Sequence, residues 1–130
     1  MGEAVLCAPV ELTLPARTSM MLVLRLTTAG VVARAGLTVD RMDDVKLAVE
    51  EACSCLIGET AGPERLRLRF EEQDGALRIQ VRGEGGSPSP VGEAEREVVR
   101  CILESLVDGV RLDVRDGAIA GAELRVALGA

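Results

Sequence analysis

Residues 45–57 read VKLAVEEACSCLI, a run that places two carboxylates and two cysteines among apolar side chains. Its apolar residues recur three and four positions apart, which is the spacing of one face of an α-helix. Asp40 precedes the run as a favourable N-cap, and Asp43 and Asp44 add negative charge to the first turn. We therefore predict a helix over about residues 40–57, with a buried stripe formed by Val45, Ala48, Val49, Ala52 and Leu56.

Strands are predicted mainly in pairs. Residues 65–73 and 76–83 alternate apolar and charged side chains on either side of an Asp-Gly turn, and residues 111–117 and 122–128 repeat this pattern. Alternation interrupted by Asp-Gly is typical of a β-hairpin. The stretch VELTLP, residues 10–15, predicts a further strand at the start of the chain, ended by its proline.

Two further helices complete the prediction. Residues 17–35 form a long first helix that ends at Gly36, and residues 95–110 form a third helix. The order β-α-α-β-β-α-β-β, with helices segregated between hairpins, predicts an α+β fold, a two-layer α/β sandwich with a mostly antiparallel sheet and its helices on one face. We expect a single domain over residues 1–130. The apolar side of the third helix is Val98, Val99, Ile102, Leu103, Leu106 and Val107.

The composition limits the chemistry and the partners of the chain. Histidine is absent, which excludes Ser-His-Asp, Cys-His and His-zinc sites, and Phe70 is the only aromatic residue. The net charge of −6 argues against non-specific nucleic-acid binding. No apolar run approaches the ~20 residues of a membrane span, and the first residues do not resemble a signal peptide. We therefore expect a cytoplasmic protein with no membrane contact.

Four cysteines, Cys7, Cys53, Cys55 and Cys101, follow no zinc or redox spacing. Residues two apart on a helix point about 200° away from each other, so Cys53 and Cys55 cannot hold one metal ion together. We expect no metal site, and we expect Cys7, Cys53 and Cys101 to be small buried hydrophobic residues. Cys55 is expected to pack, and the alternative is a redox-sensing thiol, whose pKa the neighbouring carboxylate would raise rather than lower.

Three stretches carry a resemblance to a known family. They are AGLTVDRMDDVKLAVEEACSCLI at residues 35–57, LRIQVRGEGG at 77–86 and CILESLVDGVRL at 101–112. Together they make the chain similar to the GHKL (Bergerat-fold, histidine-kinase-like) ATPases, and most similar to the anti-sigma-factor serine kinases within them. The resemblance extends over nearly the whole chain, from about residue 10 to residue 128.

The resemblance implies a role for each position of an ATP site. The opening helix of the family carries a general base, which falls on Glu51, and one turn later an Asn that holds the magnesium ion of ATP, which falls on Cys55. A neutral thiol is a poor ligand for Mg²⁺. The family's adenine-reading Asp falls on Gly83, and a slip of one residue would nominate Glu84 instead.

The remaining family positions are also substituted. Gly85 belongs to the adenine motif, whose later glycine is Ser87 here, and the closing Thr becomes Ala122. The glycine-rich segment that wraps the phosphates at the start of the third helix becomes residues 97–99, Glu-Val-Val. These replacements together imply a degenerate member that binds ATP weakly or not at all.

The resemblance then implies a regulatory protein that acts by protein–protein contact. Its expected partners are a sigma factor, an anti-sigma antagonist of the STAS type, or both, without kinase activity and with no nucleic acid bound directly. One alternative is an active ATP- and Mg²⁺-dependent protein serine kinase that phosphorylates the antagonist, with Glu51 as base and with Glu84 restoring adenine or metal binding. The other is a regulator that forms a heterodimer with an active paralogue. Family members usually form dimers and present the first helix and the adjoining sheet surface to partners. Charged residues around Arg17, Arg25, Arg34 and Arg41 are candidates for this contact.

Overall fold

A computed structural model describes residues 6–58, 61–87 and 90–129 of the chain. These residues contain three α-helices and one β-sheet. The helices are α1 (Met21–Ala33), preceded by a 3-10 turn at Thr18–Met20, α2 (Val39–Leu56) and α3 (Glu93–Glu104). The strands are β1 (Val10–Pro15), β2 (Arg65–Gln73), β3 (Ala76–Glu84), β4 (Gly109–Arg115) and β5 (Ala118–Ala127). No helix in these described ranges is long and apolar enough to cross a membrane.

The five strands form one antiparallel sheet in the order β1-β2-β3-β5-β4. The hairpins β2–β3 and β4–β5 turn at Asp74-Gly75 and Asp116-Gly117, where both residues of each turn have positive φ. Positive φ at both central positions defines the turn that matches the twist of the flanking strands. Both predicted hairpins and the predicted first strand are confirmed.

The core lies between one face of this sheet and the helices. Inward positions of β2 and β3 alternate with charged outward positions, and Phe70 at the centre of β2 is fully buried. The predicted stripe of α2 is also fully or almost fully buried. The α+β two-layer prediction, with the helices on one face of an antiparallel sheet, is confirmed. The inward strand positions are Leu66, Leu68, Phe70, Leu77, Ile79 and Val81.

The opposite face of the sheet carries mostly charged side chains of its own strands. Arg69 pairs with Glu11 across β1 and β2, with 2.5 Å between Nη1 and Oε1. Arg78 of β3 pairs with Glu71 on one side, at 3.5 Å, and with Glu123 of β5 on the other. Cross-strand pairs of opposite charge stabilise a sheet modestly and keep its open face hydrophilic.

Several boundaries differ from the sequence prediction. The N-cap of α2 is Thr38, whose hydroxyl oxygen accepts a hydrogen bond from the Arg41 amide at 3.2 Å, so Asp40 as N-cap is wrong and Asp40 lies in the first turn. The first helix begins as a 3-10 turn and becomes α-helical at residue 21. Leu22 of α1 is 59% exposed, because the inward face of this helix is built from Leu24, Thr28, Val31 and Val32.

Arg41 joins the start of α2 to the segment that follows α3. Its guanidinium donates to the Leu106 carbonyl oxygen at 3.0 Å and forms an ion pair with Asp108. Asp108 also accepts a hydrogen bond from the Ala127 amide, 2.8 Å away at the end of β5. Three segments far apart in the sequence are thereby held together by two side chains.

Candidate functional site

The end of α2, the end of β3 and the start of β5 meet around one small cavity. Its volume is about 30 Å³. The walls are apolar side chains and glycine backbone, with no charged side chain among the described residues that line it. Two of the sequence-predicted positions therefore line the cavity, Gly83 at the end of β3 and Gly85 just after it, together with the end of the helix that carries Glu51. The lining residues are Leu56, Pro63, Gly83, Gly85, Ile119 and Ala120.

Gly83 lies on the helix-facing side of β3. The strand alternates strictly, so Gly83 continues the inward row of Ile79 and Val81, and it pairs with the inward Leu66 of β2. A Cβ at this position would lie 2.9 Å from two side-chain atoms of Pro63. The space that a longer side chain would need here is therefore already filled by the proline ring.

Glu84 points to the other side of the sheet. Its carboxylate lies 3.5 Å from Arg67 and 3.9 Å from Arg65, both on the outward row of β2. The strand alternation that nominates Gly83 thus separates Glu84 from the cavity, and the structure does not bring these two candidate positions together. Gly85 follows with a φ of +73° and lines the cavity through its backbone.

Glu51 and Cys55 lie one turn apart on α2 and are both half-buried. The Cys55 thiol donates to the Ala52 carbonyl oxygen of its own helix at 3.0 Å. Burial raises the pKa of the Cys55 thiol to about 11, and the charge of Glu51 contributes to the rise. The prediction that a carboxylate beside this thiol raises its pKa is confirmed, and the thiol is neutral near pH 7.

The other cysteines divide into one buried residue and two exposed ones. Cys53 is fully buried, and this burial, followed by the charges of Cys55 and Glu50, raises its pKa to about 12. Cys7 and Cys101 are exposed, so the expectation that they are buried is wrong. Cys101 lies on the outward side of α3, which the sheet and α2 leave uncovered. Across the described ranges no group of three or more Cys, Asp or Glu side chains could hold a metal ion.

The remaining family positions lie in regular structure. Ala122 is buried on β5, between Val81 of β3 and Leu112 of β4 in the register. Ser87 is exposed after β3. Residues 97–99 lie inside α3 rather than at its start, because the helix already begins at Glu93. Glu93 and Glu95 occupy its first turn.

The four arginines proposed as partner contacts fall into two groups. Arg25 donates to Glu50 of α2 at 2.6 Å, and Arg41 is engaged by Leu106 and Asp108, so both take part in holding the fold together. Arg17 and Arg34 are exposed at the two ends of the first helical segment. Only the second pair projects from the surface without an ion pair among the described residues.

Pro63 and Ile119 also line the cavity, and neither was predicted from the sequence as part of the site. Pro63 is held there because the neighbouring Glu64 amide donates to the Glu84 carbonyl oxygen at 2.9 Å, which extends the β2–β3 pairing. Ile119 reaches the cavity through an irregularity in the β4–β5 register, where Ala120 is left over between the pairs Asp113–Gly121 and Val114–Ile119. A proline just before an alternating strand is the one signal in the sequence that could have drawn attention to this wall.

Comparison with known proteins agrees with this architecture. The family model described as "Histidine kinase-like ATPase domain" matches residues 14–114. The chain therefore belongs to the histidine kinase-like ATPase domain family, and the family predicted from the sequence is confirmed.

Curated relatives show which proteins of this family the chain is similar to. The chain is 34% identical over 84 residues to "Serine-protein kinase RsbW" of Halalkalibacterium halodurans, a match over 60% of this chain and 49% of that protein. It is 32% identical over 81 residues to the protein of the same name from Bacillus subtilis, over 60% and 51% of the two chains. The matches thus span about half the length of these curated relatives.

A solved structure shares the fold. The crystal structure of the RsbU and RsbW domains of Rv1364c from Mycobacterium tuberculosis superposes with a TM-score of 0.72 at 18% identity. The superposition covers 93% of this chain and 32% of that one.

Proposed function

We propose that this chain is an anti-sigma-factor-like regulatory protein. It acts by protein–protein binding in a partner switch between a sigma factor and a STAS-type antagonist, and its nucleotide binding is weak or lost. The observation that carries the proposal is the cavity of about 30 Å³ that is lined by Gly83, Gly85 and Leu56, the residue after Cys55 on α2. The likeness to the serine-protein kinases RsbW supports the regulatory assignment.

The size and walls of this cavity are unsuited to adenine. Small-molecule sites usually enclose roughly 300–1,000 Å³, whereas about 30 Å³ has room for little more than a water molecule. Gly83 offers no carboxylate to an adenine amino group, and Pro63 fills the space in front of it. The carboxylate of Glu84, the residue after Gly83, is engaged by arginines on the far side of the sheet.

The magnesium and phosphate positions are equally unsuited to their ligands. Mg²⁺ requires oxygen ligands, and Cys55 supplies a neutral thiol that donates to its own helix. Phosphates bind at helix N-termini because of the free amides and the positive end of the dipole. In α3 that end already carries Glu93 and Glu95, which would repel a phosphate.

The second candidate function is an active ATP-dependent protein serine kinase. Two observations favour it, the half-buried Glu51 at the family's base position and the name of the curated relatives. This function would need the cavity to open and another group to replace the magnesium ligand.

The proposed partners are those that the family resemblance implies. A sigma factor, a STAS-type antagonist, or both would bind in the cytoplasm, with the chain as a homodimer or as a heterodimer with an active paralogue. The exposed apolar side chains of α1, Leu22 at 59% and Leu26 at 64%, support a contact surface on that helix.

Calorimetric titration with ATP and ADP, each with and without Mg²⁺, tests the loss of nucleotide binding. We expect no heat and no thermal stabilisation at millimolar nucleotide. The matched variant is Cys55→Asn, which restores the family residue on α2 but leaves Gly83 and Pro63 unchanged. We expect that this variant does not bind nucleotide either. Micromolar, magnesium-dependent binding by the wild-type protein would overturn the proposal. A phosphotransfer assay with Glu51→Ala as control would then test the kinase.

The regulatory half of the proposal is tested with purified partners. The chain is immobilised without nucleotide and presented with sigma factors, STAS-type antagonists and kinase paralogues from the same genome. Saturable binding of a sigma factor or an antagonist supports the partner switch. Binding of a kinase paralogue alone would replace it with the heterodimer alternative.

A further inference from the structure

The third helix carries an apolar sector that its own fold only half covers. Val99 and Leu103 are buried against the sheet and α2, as the sequence pattern predicts. Val98 and Ile102, one position earlier on each turn, belong to the same apolar side but are 58% and 38% exposed. The outward part of the sector, which we call the α3 patch, consists of Ala94, Val98, Cys101 and Ile102.

The α3 patch has the shape of a docking surface for a helix. Its four residues follow the spacing i, i+4, i+7 and i+8, which places them in one stripe along α3. A shallow depression of about 400 Å³ runs over them and is lined otherwise only by Glu97. Paired apolar side chains at successive turns are what an amphipathic helix needs when it lies in a groove.

The border of the α3 patch is acidic. Glu97 is four residues after Glu93, and Glu104 is seven residues after Glu97. The three side chains therefore form one exposed row along the edge of the stripe. Glu97 lies against the patch itself, because its Oε1 is 3.9 Å from the Cys101 thiol. The single counter-charge on this row, Arg100, is 3.7 Å from Glu97 and neutralises it in part.

The charge of the acidic row indicates whether a second copy of the chain or a helix of another protein fits the α3 patch. Two copies of the chain packed antiparallel on this face would bring one acidic row against the other, and like charges facing each other disfavour association. A helix with basic borders on either side of an apolar stripe would instead bury the patch and pair with the row. We propose that the α3 patch binds a basic amphipathic helix of a partner protein. This surface is separate from α1 and from the cavity beside Gly83, and it includes Glu97 and Val98 of the family's phosphate segment.

A defined peptide tests the proposal on the whole protein. The probe is a synthetic helix of about 18 residues with a leucine stripe bordered by lysines, and the comparison peptide has glutamate in place of every lysine. Fluorescence anisotropy of the labelled peptides gives the dissociation constants. We expect the lysine peptide to bind at least about tenfold more tightly than the glutamate peptide and to weaken as salt rises.

Two matched variants separate docking from general attraction to an acidic protein. Val98→Glu makes the protein more negative, so non-specific attraction would strengthen binding, whereas loss of the docking stripe should weaken it by about tenfold. Leu47→Glu makes the same change at another exposed apolar residue, 53% exposed on α2, and should leave the affinity within about twofold. Affinity that is unchanged by Val98→Glu, or lost equally with Leu47→Glu, would overturn the proposal.

Cys101 provides an independent readout within the patch. The bound lysine peptide should slow alkylation of Cys101 and leave the exposed Cys7, before β1 at the opposite edge of the sheet, unaffected. Equal protection of both thiols would contradict docking at α3. Sedimentation completes the test, since a dimer that Val98→Glu converts to a monomer, without peptide binding, would show that a second copy occupies the face.

Discussion

At the scale of single residues, the four thiols differ in the environments that surround them. Cys53 lies fully inside the core and Cys55 is half-buried beside Glu51, whereas Cys7 and Cys101 are exposed. Burial penalises the thiolate, so it raises the pKa of Cys53 to about 12 and that of Cys55 to about 11. The two interior thiols therefore favour the folded state only while they remain protonated.

This burial predicts a loss of stability in alkali. In the unfolded chain the thiols titrate near their ordinary value of 9.0, before they do so in the folded protein. The stabilisation is complete below pH 9 and is lost as the pH rises toward 12, by up to about 1.4 kcal/mol per pH unit for each thiol. The chain lacks tyrosine and has one lysine, Lys46, so few other groups titrate in this range.

Urea unfolding titrations between pH 8 and pH 11 measure this slope. Cys53→Ala should reduce it by about half, because one of two buried thiols is removed. Cys101→Ala, at an exposed position, is the matched control and should run parallel to the wild-type curve. A wild-type slope in Cys53→Ala would show that another group causes the alkaline loss.

At the scale of elements, the N-terminus of α2 offers two residues suited to capping. Thr38 caps the helix and Asp40 is the second residue of its first turn. Thr38→Ala should cost about 1 kcal/mol, because it leaves the Arg41 amide without its acceptor. Asp40→Ala should cost about 0.3–1 kcal/mol, since Asp40 interacts only with the helix dipole. Urea unfolding of the two single variants at low salt decides between them, and a larger loss in Asp40→Ala would contradict the observed cap.

Elements with strong local signals could be predicted from the sequence. The hairpins combine strict alternation with Asp-Gly, and α2 combines five regularly spaced apolar residues with an acidic start. The choice between Thr38 and Asp40 could not be predicted, because both side chains can accept the capping bond and the backbone conformation decides. The exposure of Val98 and Ile102 also required the structure, because the width of an apolar side does not reveal how much of it the neighbouring elements cover.

The candidate site was predictable only as a set of positions. The resemblance placed Glu51 and Cys55 on one helix face, and strand alternation placed Gly83 inward. The size of the cavity depends on Pro63 and on the leftover Ala120, which are brought in by strand pairing and by a register irregularity. Such pairings join residues far apart in the sequence, and no local pattern in this chain encodes them.

At the scale of the whole molecule, Arg41 and Asp108 tie α2, the end of α3 and the end of β5 together. Arg41→Ala should lower the free energy of unfolding by about 1–2 kcal/mol, because the Leu106 carbonyl oxygen and the Asp108 carboxylate both lose the guanidinium. Scanning calorimetry of this variant measures the change.

The matched control is Arg25→Ala, which removes the more exposed ion pair between α1 and Glu50. It should cost at most about 1 kcal/mol, as is usual for surface pairs. Equal losses in the two variants would mean that Arg41 contributes no more than an ordinary surface charge.

Phe70, the fully buried residue at the centre of β2, is also the only aromatic ring of the chain. The protein consequently absorbs very little light in the near-ultraviolet and has no tryptophan or tyrosine fluorescence. Any tryptophan introduced by mutation would be seen without background. Placed at Leu47 it would report on α2, and placed at Ile102 it would report directly on whatever approaches α3.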